Sequence, residues 1–403
     1  MKLNKTSQLF LVSILGLAVA SLLTSCAYVT IDYVFVADSS GSGSGSAGQI
    51  QTYDADSETG ALRSGQPVIP SGGVNPVAMT TTADYSNLYV VNQGSNNIVH
   101  FAIAGNGILS QKDVVTTSAT PVWVAVNTAQ TYLYVVSGPN PSILTEYSLS
   151  SGTIGSIAAQ VTLSLPSFAA DTIVPTGVNV LANNGAVFVS AYDQSAYNPG
   201  GATTSTANPG WVFGYTVGSG GALTASTNSP YEAGVKPSAL VSDPTNRFVY
   251  VSDFASSEVI GYTIQSGSTL NFLINGPFKT GNEPIAAVID PRGKYMYIPN
   301  RLDSTLSAYV IDLTTGTPSA AVNVTGTQLN YTDTTPVAVV VDPALGRFVY
   351  TANTLGNSIS GFKINPTTGA LTPTLSTPYP VGDTPTALAA VPHGNHSIQT
   401  VSP

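Results

Sequence analysis

The composition of this chain excludes two broad classes of protein. Of its 403 residues, 43% are hydrophobic, which is ample for a large core, and 8% are charged, against roughly 25% in ordinary soluble proteins. Disorder driven by charge repulsion is therefore not indicated. Twelve Lys and Arg stand against 21 Asp and Glu, a net charge of −9 without a basic stripe, and we predict no nucleic-acid partner.

The N-terminus has the pattern of a secretory signal peptide. Lys2 and Lys5 precede an apolar run from Leu9 to Leu23, which is shorter than the ~20 residues of a membrane span. The segment Leu23-Thr24-Ser25-Cys26 resembles the bacterial lipobox, whose cysteine is acylated and becomes the mature N-terminus. An uncleaved anchor helix with a chance cysteine is the alternative.

Cys26 is the single cysteine, so the chain forms no internal disulfide. We predict a signal peptide over residues 1–25, a lipidated tether over 26–32 and attachment to the membrane through acylated Cys26. Ala27 follows the cysteine, and in the Gram-negative sorting pattern a residue other than Asp there indicates the outer membrane. The predicted location is thus the cell envelope.

A repeated pattern dominates the rest of the chain. In its clear copies the unit has a short apolar strand, an Asp-Pro turn, and a second strand ending on Tyr-x-x-Asp or Tyr-x-x-Asn. The clearest copies span residues 237–253, 284–300 and 336–353, and weaker copies begin at Pro76, Pro121 and Pro175. A third strand, a Gly-bearing turn and a fourth strand follow. Four antiparallel strands at a period of about 50 residues predict a propeller blade.

The two ends of the chain predict how the ring closes. Six units are complete, Pro385 to Val391 reads as a lone first strand, and Tyr33 to Asp38 reads as a second strand without a first. Pairing them gives an all-β, seven-bladed propeller over residues 33–393 without free edges. Residues 394–403 are left as a tail, although 396–400 compete for the second-strand position.

These units resemble the lactonase family of seven-bladed propellers, which includes 6-phosphogluconolactonases and carboxymuconate cycloisomerases. They also resemble the Tyr-Val-Thr-Asn repeats of cell-surface propellers, with Tyr89–Asn92 and Tyr350–Asn353 as the nearest matches. The resemblance implies a lactone-binding face with histidines beside the first strands. Those positions read here Asn75, Thr120, Val174, Lys236, Glu283, Thr335 and Thr384.

The ends of the second strands are the first candidate site. They read Asp38, Asn92, Ser137, Ala191, Asp253, Asn300 and Asn353. If their side chains line the mouth of the central channel, then Asn92, Asn300 and Asn353 bind ligand. The alternative is that these side chains cap the turns that follow them.

A second candidate is a charged group in neighbouring blades. Lys236 and Glu283 precede first-strand prolines, and Asp253 and Arg301 lie at the matching turns. If the protein is an enzyme, we expect Lys236 and Arg301 to bind a lactone carbonyl or carboxylate, and Glu283 or Asp253 to act as general base. A solvated salt-bridge cluster is the alternative.

Aromatic residues are the third candidate. Trp123 occupies a first-strand position that is Ala or Gly in every other unit, where it either stacks on a ligand or fills a gap between blades. Tyr192 and Tyr197 lie at the start of an insertion over residues 193–209, a length typical of a binding loop. The alternative is a disordered, decorative loop.

The sequence leaves three functions open. The anchor and the missing histidines favour an envelope module that binds a small sugar-like ligand or an envelope protein. The family resemblance and the charged group favour a lactone hydrolase, and the Tyr-x-x-Asn repeats favour a surface-layer or adhesion component. We expect a monomer without a cofactor or metal, since His393 and His396 alone are a weak metal motif.

Overall fold

The computed structural model describes residues 28–39, 47–118, 120–165, 172–197, 209–322, 326 and 329–394. These residues form seven antiparallel sheets, which confirms the seven-bladed propeller predicted from the repeat. Two short 3₁₀ turns, Ser219–Gly221 and Ser266–Ser268, interrupt the strands. The predicted signal peptide, Cys26 and the tail from residue 395 lie outside the described residues. Within them, no helix is long and apolar enough to cross a bilayer.

Each blade is a sheet that begins with an inner strand at the axis. Blades 1 to 3 contain β1 (Thr30–Asp38), β2 (Ala47–Asp56), β3 (Leu62–Ser64), β4 (Ile69–Val74) and β33 (Pro385–Pro392); β5 (Pro76–Thr81), β6 (Asn87–Asn92), β7 (Asn97–Ile103) and β8 (Leu109–Thr116); and β9 (Pro121–Val126), β10 (Tyr132–Ser137), β11 (Ile143–Ser150) and β12 (Thr153–Thr162).

Blades 4 to 7 follow in chain order. They contain β13 (Ile173–Val180), β14 (Ala186–Asp193), β15 (Gly210–Val217), β16 (Leu223–Ala225) and β17 (Tyr231–Glu232); β18 (Pro237–Ser242), β19 (Phe248–Asp253), β20 (Glu258–Ile264), β21 (Leu270–Phe272) and β22 (Phe278–Lys279); β23 (Val288–Ile289), β24 (Tyr295–Asn300), β25 (Thr305–Ile311), β26 (Pro318–Ala320) and β27 (Leu329–Tyr331); and β28 (Pro336–Val341), β29 (Phe348–Asn353), β30 (Ser358–Ile364), β31 (Leu371–Pro373) and β32 (Tyr379–Pro380).

The last strand of the chain closes the ring as predicted. β33 pairs antiparallel with β1, so that Tyr33 faces Val391 and Ala37 faces Ala387. β1 begins at Thr30, inside the segment predicted as tether, because residues up to Thr30 continue to pair with β2. Both ends of the propeller are therefore held in blade 1.

The outer strand differs from the single fourth strand that the repeat predicts. In blades 1, 4, 5, 6 and 7 it consists of two short pieces that pair with the same third strand at separate points, as β21 and β22 do with β20. Only blades 2 and 3 have a continuous outer strand, β8 and β12, among the described residues.

The hydrophobic core lies between the blades. Seven clusters of buried residues each join two neighbouring blades, so every interface in the ring carries one. The tyrosine of the Tyr-x-x-Asx pattern adds a hydrogen bond across several interfaces. The Tyr250 hydroxyl donates to the Gly316 carbonyl of the next blade at 2.6 Å, and the Tyr350 hydroxyl donates to that of Gly60 at 2.9 Å. The repeat thus specifies the contacts between blades.

Candidate functional site

A β-bulge at the start of the inner strands builds the mouth of the central channel. In blade 2, Pro76 faces Asn92 while Ala78 faces Val91, which leaves Val77 as the extra residue. The same register shift occurs in five more blades. Because a bulge re-aims a side chain, the extra residues all line the axial cavity, and they are Val77, Val122, Thr176, Ser238, Val337 and Thr386.

The axial cavity has a volume of about 450 Å³ and an aliphatic wall. Its deeper lining includes Met79, Val339 and Leu388. The bulge hydroxyls are already engaged, since Ser238 donates to the Pro284 carbonyl at 2.7 Å and Thr386 donates to that of Pro76 at 2.7 Å. These hydroxyls therefore offer a ligand little beyond spare acceptor capacity.

Lys236 is the one charged side chain on the wall of this cavity, as far as the described residues show. Its Nζ lies 5.3 Å from the ring centre of Tyr192, 4.9 Å from that of Tyr197 and 4.8 Å from that of Phe254. Tyr192 and Tyr197 pack edge to face at 5.6 Å. Such rings stabilise a cation. Burial, and then the positive charge of Arg301, lower the pKa of Lys236, while Glu283 opposes this shift.

Arg301 lies near Lys236, and both cations contact the ring of Phe254. Its Cζ is 5.2 Å from the Phe254 ring centre, and Arg301 lines the open outer part of the mouth together with Lys236. Glu283 holds Arg301 in place, with Nη2 2.7 Å and Nε 2.9 Å from Oε2. The structure thus brings together Lys236, Glu283 and Arg301, the charged group that the sequence singled out.

Asp253, the other candidate base, is not part of this group. It is fully buried, and its carboxylate accepts the backbone N–H groups of Val235 at 2.7 Å and Lys236 at 2.9 Å. Asp253 does not line the axial cavity. It positions the loop that carries Lys236.

Asn92, Asn300 and Asn353 are also buried away from the axial cavity. Asn300 and Asn353 use their amides inside their own blades, whereas Asn92 donates both to Asn97 of its own blade and to the Ser71 carbonyl of blade 1. Asn300 donates to the hydroxyls of Thr305 and Ser307 at 2.9 Å, and Asn353 donates to those of Ser358 and Ser360 at 3.0 and 2.9 Å. These contacts match the alternative interpretation, in which the side chains cap the turns that follow the second strands.

The position of Trp123 is compatible with both roles that the sequence left open, stacking on a ligand and filling a gap between blades. Trp123 is half-buried and lines the axial cavity, and it also packs against the two clusters that join blade 3 to its neighbours. Of the insertion over residues 193–209, residues 198–208 lie outside the described part of the chain.

The sequence analysis did not identify Phe254 or the aliphatic bulge residues as part of the site. A usable signal existed, because the residue after each second-strand end is Tyr192, Phe254 and Arg301 in blades 4, 5 and 6, and all three meet around Lys236. A second sequence signal is a Gly-x-x-Pro pattern, which precedes four of the seven inner strands. An added Cβ on Gly281 would lie 2.6 Å from Nδ2 of Asn300, so this glycine lets the loop pack on its cap.

The fold recurs in distant proteins of known structure. A protein from Bacteroides uniformis assigned as a 6-phosphogluconolactonase shares 20% identity over 90% of this chain and 99% of its own, with a TM-score of 0.68. The periplasmic gluconolactonase of Pseudomonas aeruginosa shares 19% identity over 89% of this chain and 99% of its own, with a TM-score of 0.71. Likeness at this identity shows the fold alone.

Comparison of the sequence itself gives a family. No curated protein matches it. The family model described as "Lactonase, 7-bladed beta-propeller" matches residues 104–398, most of the propeller. The chain therefore belongs to the lactonase family of seven-bladed β-propellers.

Proposed function

We propose that this protein hydrolyses lactones at the mouth of its central channel. The observation that carries this proposal is the convergence of Lys236, Arg301 and Glu283 beside the axial cavity, in a chain with only 8% charged residues. Two cations beside a water-accessible carboxylate are suited to ester-type hydrolysis. Membership of the lactonase family supports the same substrate class.

The charged residues have separate roles in this mechanism. The lactone carbonyl oxygen points toward Lys236 and Arg301, which stabilise the negative charge as water attacks the carbonyl carbon. Glu283 takes the proton of that water, since a base acts directly or through one bridging water. The ring C–O bond then breaks, the proton passes to the departing alkoxide, and the product is a hydroxy acid.

The test is a lactone hydrolysis assay on the purified protein, followed by acid release. We expect Glu283→Gln to lower the rate by at least about 100-fold, as loss of a general base does. Glu258→Gln is the matched control, because Glu258 also pairs with a cation, Lys279 at 2.7 Å, but lines neither cavity at the mouth. Equal rates in the two variants would contradict the proposal.

A ligand-binding module without catalysis is the second candidate. It is favoured by the same ion pair, because Arg301 contacts Oε2 of Glu283 twice and so occupies one oxygen of the carboxylate. Binding of a lactone or hydroxy acid without turnover in the assay would establish this alternative.

We also propose that the protein is an envelope lipoprotein tethered through Cys26. The lipobox-like segment ending at Cys26 supports this location. Cys26→Ala should move the protein from the membrane fraction to the soluble fraction after cell lysis. Unchanged fractionation would argue against a lipid anchor.

A further inference from the structure

We infer that the ligand of this site carries an apolar chain, which lies in the axial cavity while its lactone or carboxylate head lies at Lys236 and Arg301. The lactone part of this inference rests on the proposed function. The binding part does not, because it concerns the shape and chemistry of the cavity alone.

The lining of the cavity selects against a polyol. Its wall is formed by valine, alanine, isoleucine, leucine and methionine side chains from several inner strands. The hydroxyls of Thr176, Ser238 and Thr386 donate to backbone carbonyls of Ser190, Pro284 and Pro76. A sugar lactone buried here would lose hydrogen bonds to water without replacing most of them, which is costly. An alkyl chain loses nothing and gains burial.

The volume of the cavity is also suitable. About 450 Å³ falls within the roughly 300–1,000 Å³ of small-molecule sites. The outer part of the mouth shares Val77, Lys236, Phe254 and Val337 with the inner cavity, so the two are continuous. A single ligand can therefore reach from the cations at the rim into the aliphatic interior.

The charge at the rim fits an oxygen-rich, anionic head. Lys236 and Arg301 line the mouth, and Glu283 lies beside it as the ion-pair partner of Arg301, so two cations stand against one carboxylate there. The chain as a whole carries −9, so this cationic rim is a local exception rather than a general property of the surface. Cations above an apolar cavity match the two ends of an amphipathic molecule.

Binding of straight-chain carboxylates of increasing length, below their micelle concentrations, tests this inference by calorimetry. Affinity should rise by up to about fourfold per added CH₂ until the cavity is full, and then level off. Gluconate, a polar carboxylate, should bind far more weakly than decanoate. Equal affinity for all lengths, or preference for gluconate, would overturn the inference.

Two variants test where the alkyl chain of the ligand lies in the protein. Ala338 and Trp123 occupy equivalent inner-strand positions, and both line the cavity. Ala338→Trp should fill the interior and lower decanoate affinity at least about tenfold while leaving that for butanoate within about twofold. Trp123→Ala should shift the plateau to longer chains. If Ala338→Trp fails to fold, the Trp123→Ala shift still decides the matter, and an unmoved plateau counts against the inference.

Head-group variants and kinetics separate this inference from the proposed function. Arg301→Gln should weaken every carboxylate by a similar factor, about tenfold, without changing the dependence on chain length. Hydrolysis of γ-lactones should speed up with alkyl length in the same series. Length-dependent binding without any hydrolysis supports the inference and contradicts the lactonase proposal, whereas rapid hydrolysis of gluconolactone without length dependence does the reverse.

Discussion

Two sets of polar residues lie close together at one face of the propeller, and they differ in what they contact. The second-strand ends, such as Asp253, Asn300 and Asn353, are buried and bind backbone or hydroxyl groups of their own blade. The residues at the mouth, Lys236 and Arg301, contact aromatic rings and line an open cavity. The positions that repeat in most blades maintain the fold, whereas the departures from the repeat form the site.

The largest expected effect is on catalysis, and it comes from a residue at the mouth of the channel. Arg301→Gln should lower kcat/KM for a lactone by about 10²–10³, the loss typical of removing one donor to a developing oxyanion. Because its ion pair with Glu283 is partly exposed, unfolding free energy should change by less than about 1 kcal/mol. Steady-state kinetics and urea unfolding measure the two quantities. A large stability loss with normal kinetics would place Arg301 among the structural residues.

Glu146 is a buried carboxyl of a different kind from Asp253. It lies beside the Tyr134 hydroxyl, whereas the Asp253 carboxylate accepts backbone N–H groups. Burial raises the pKa of Glu146 from 4.5 to about 7. The folded state therefore holds a proton that the unfolded state releases, and stability should fall as pH rises through this window, by about 3 kcal/mol in total.

The matched variant is Glu146→Gln, which stays neutral. It should be more stable than the parent at about pH 8 and nearly as stable at about pH 4, so the difference between the two proteins isolates this group. Denaturant unfolding at several pH values measures it. A difference that does not vary with pH would show that Glu146 keeps an ordinary pKa.

On the cap side, Asn353→Ala should destabilise the protein by about 2 kcal/mol, because the hydroxyls of Thr351, Ser358 and Ser360 lose a buried partner. Catalysis per folded molecule should stay within about threefold, since Asn353 does not line the mouth. Lost activity in a fully folded Asn353→Ala protein would return this residue to the binding site.

The smallest expected effect concerns Gly281, the glycine that packs against the capping side chain of Asn300. Gly281→Ala places a Cβ 2.6 Å from Nδ2 of Asn300, and we expect a loss of about 1 kcal/mol. Asn300→Ala makes room for that methyl, so the double variant should lose less stability than the sum of the two single changes. Strict additivity would mean that the glycine and the cap do not meet.

How far the sequence predicts the site depends on the kind of residue. The charges Lys236, Glu283 and Arg301 were predictable, because rare charged residues at matching points of consecutive repeats must share a face. The aliphatic wall of the axial cavity was not predictable, because Val77, Val122 and Val337 look like ordinary strand residues. Side chains alternate along a strand, so assigning the faces requires knowing where the bulge falls.

The sequence by itself determined the number of blades and the closure by the last strand, and it left the second-strand Asp and Asn side chains open between ligand binding and capping. The blades and the closure follow from local patterns that recur along the chain, and local turn chemistry enforces them. Only the tertiary structure decided that Tyr192, Tyr197, Phe254 and Arg301 surround Lys236. These residues come from three blades, and contacts between blades are set by the closing of the ring and the packing of its interfaces, which no single repeat contains.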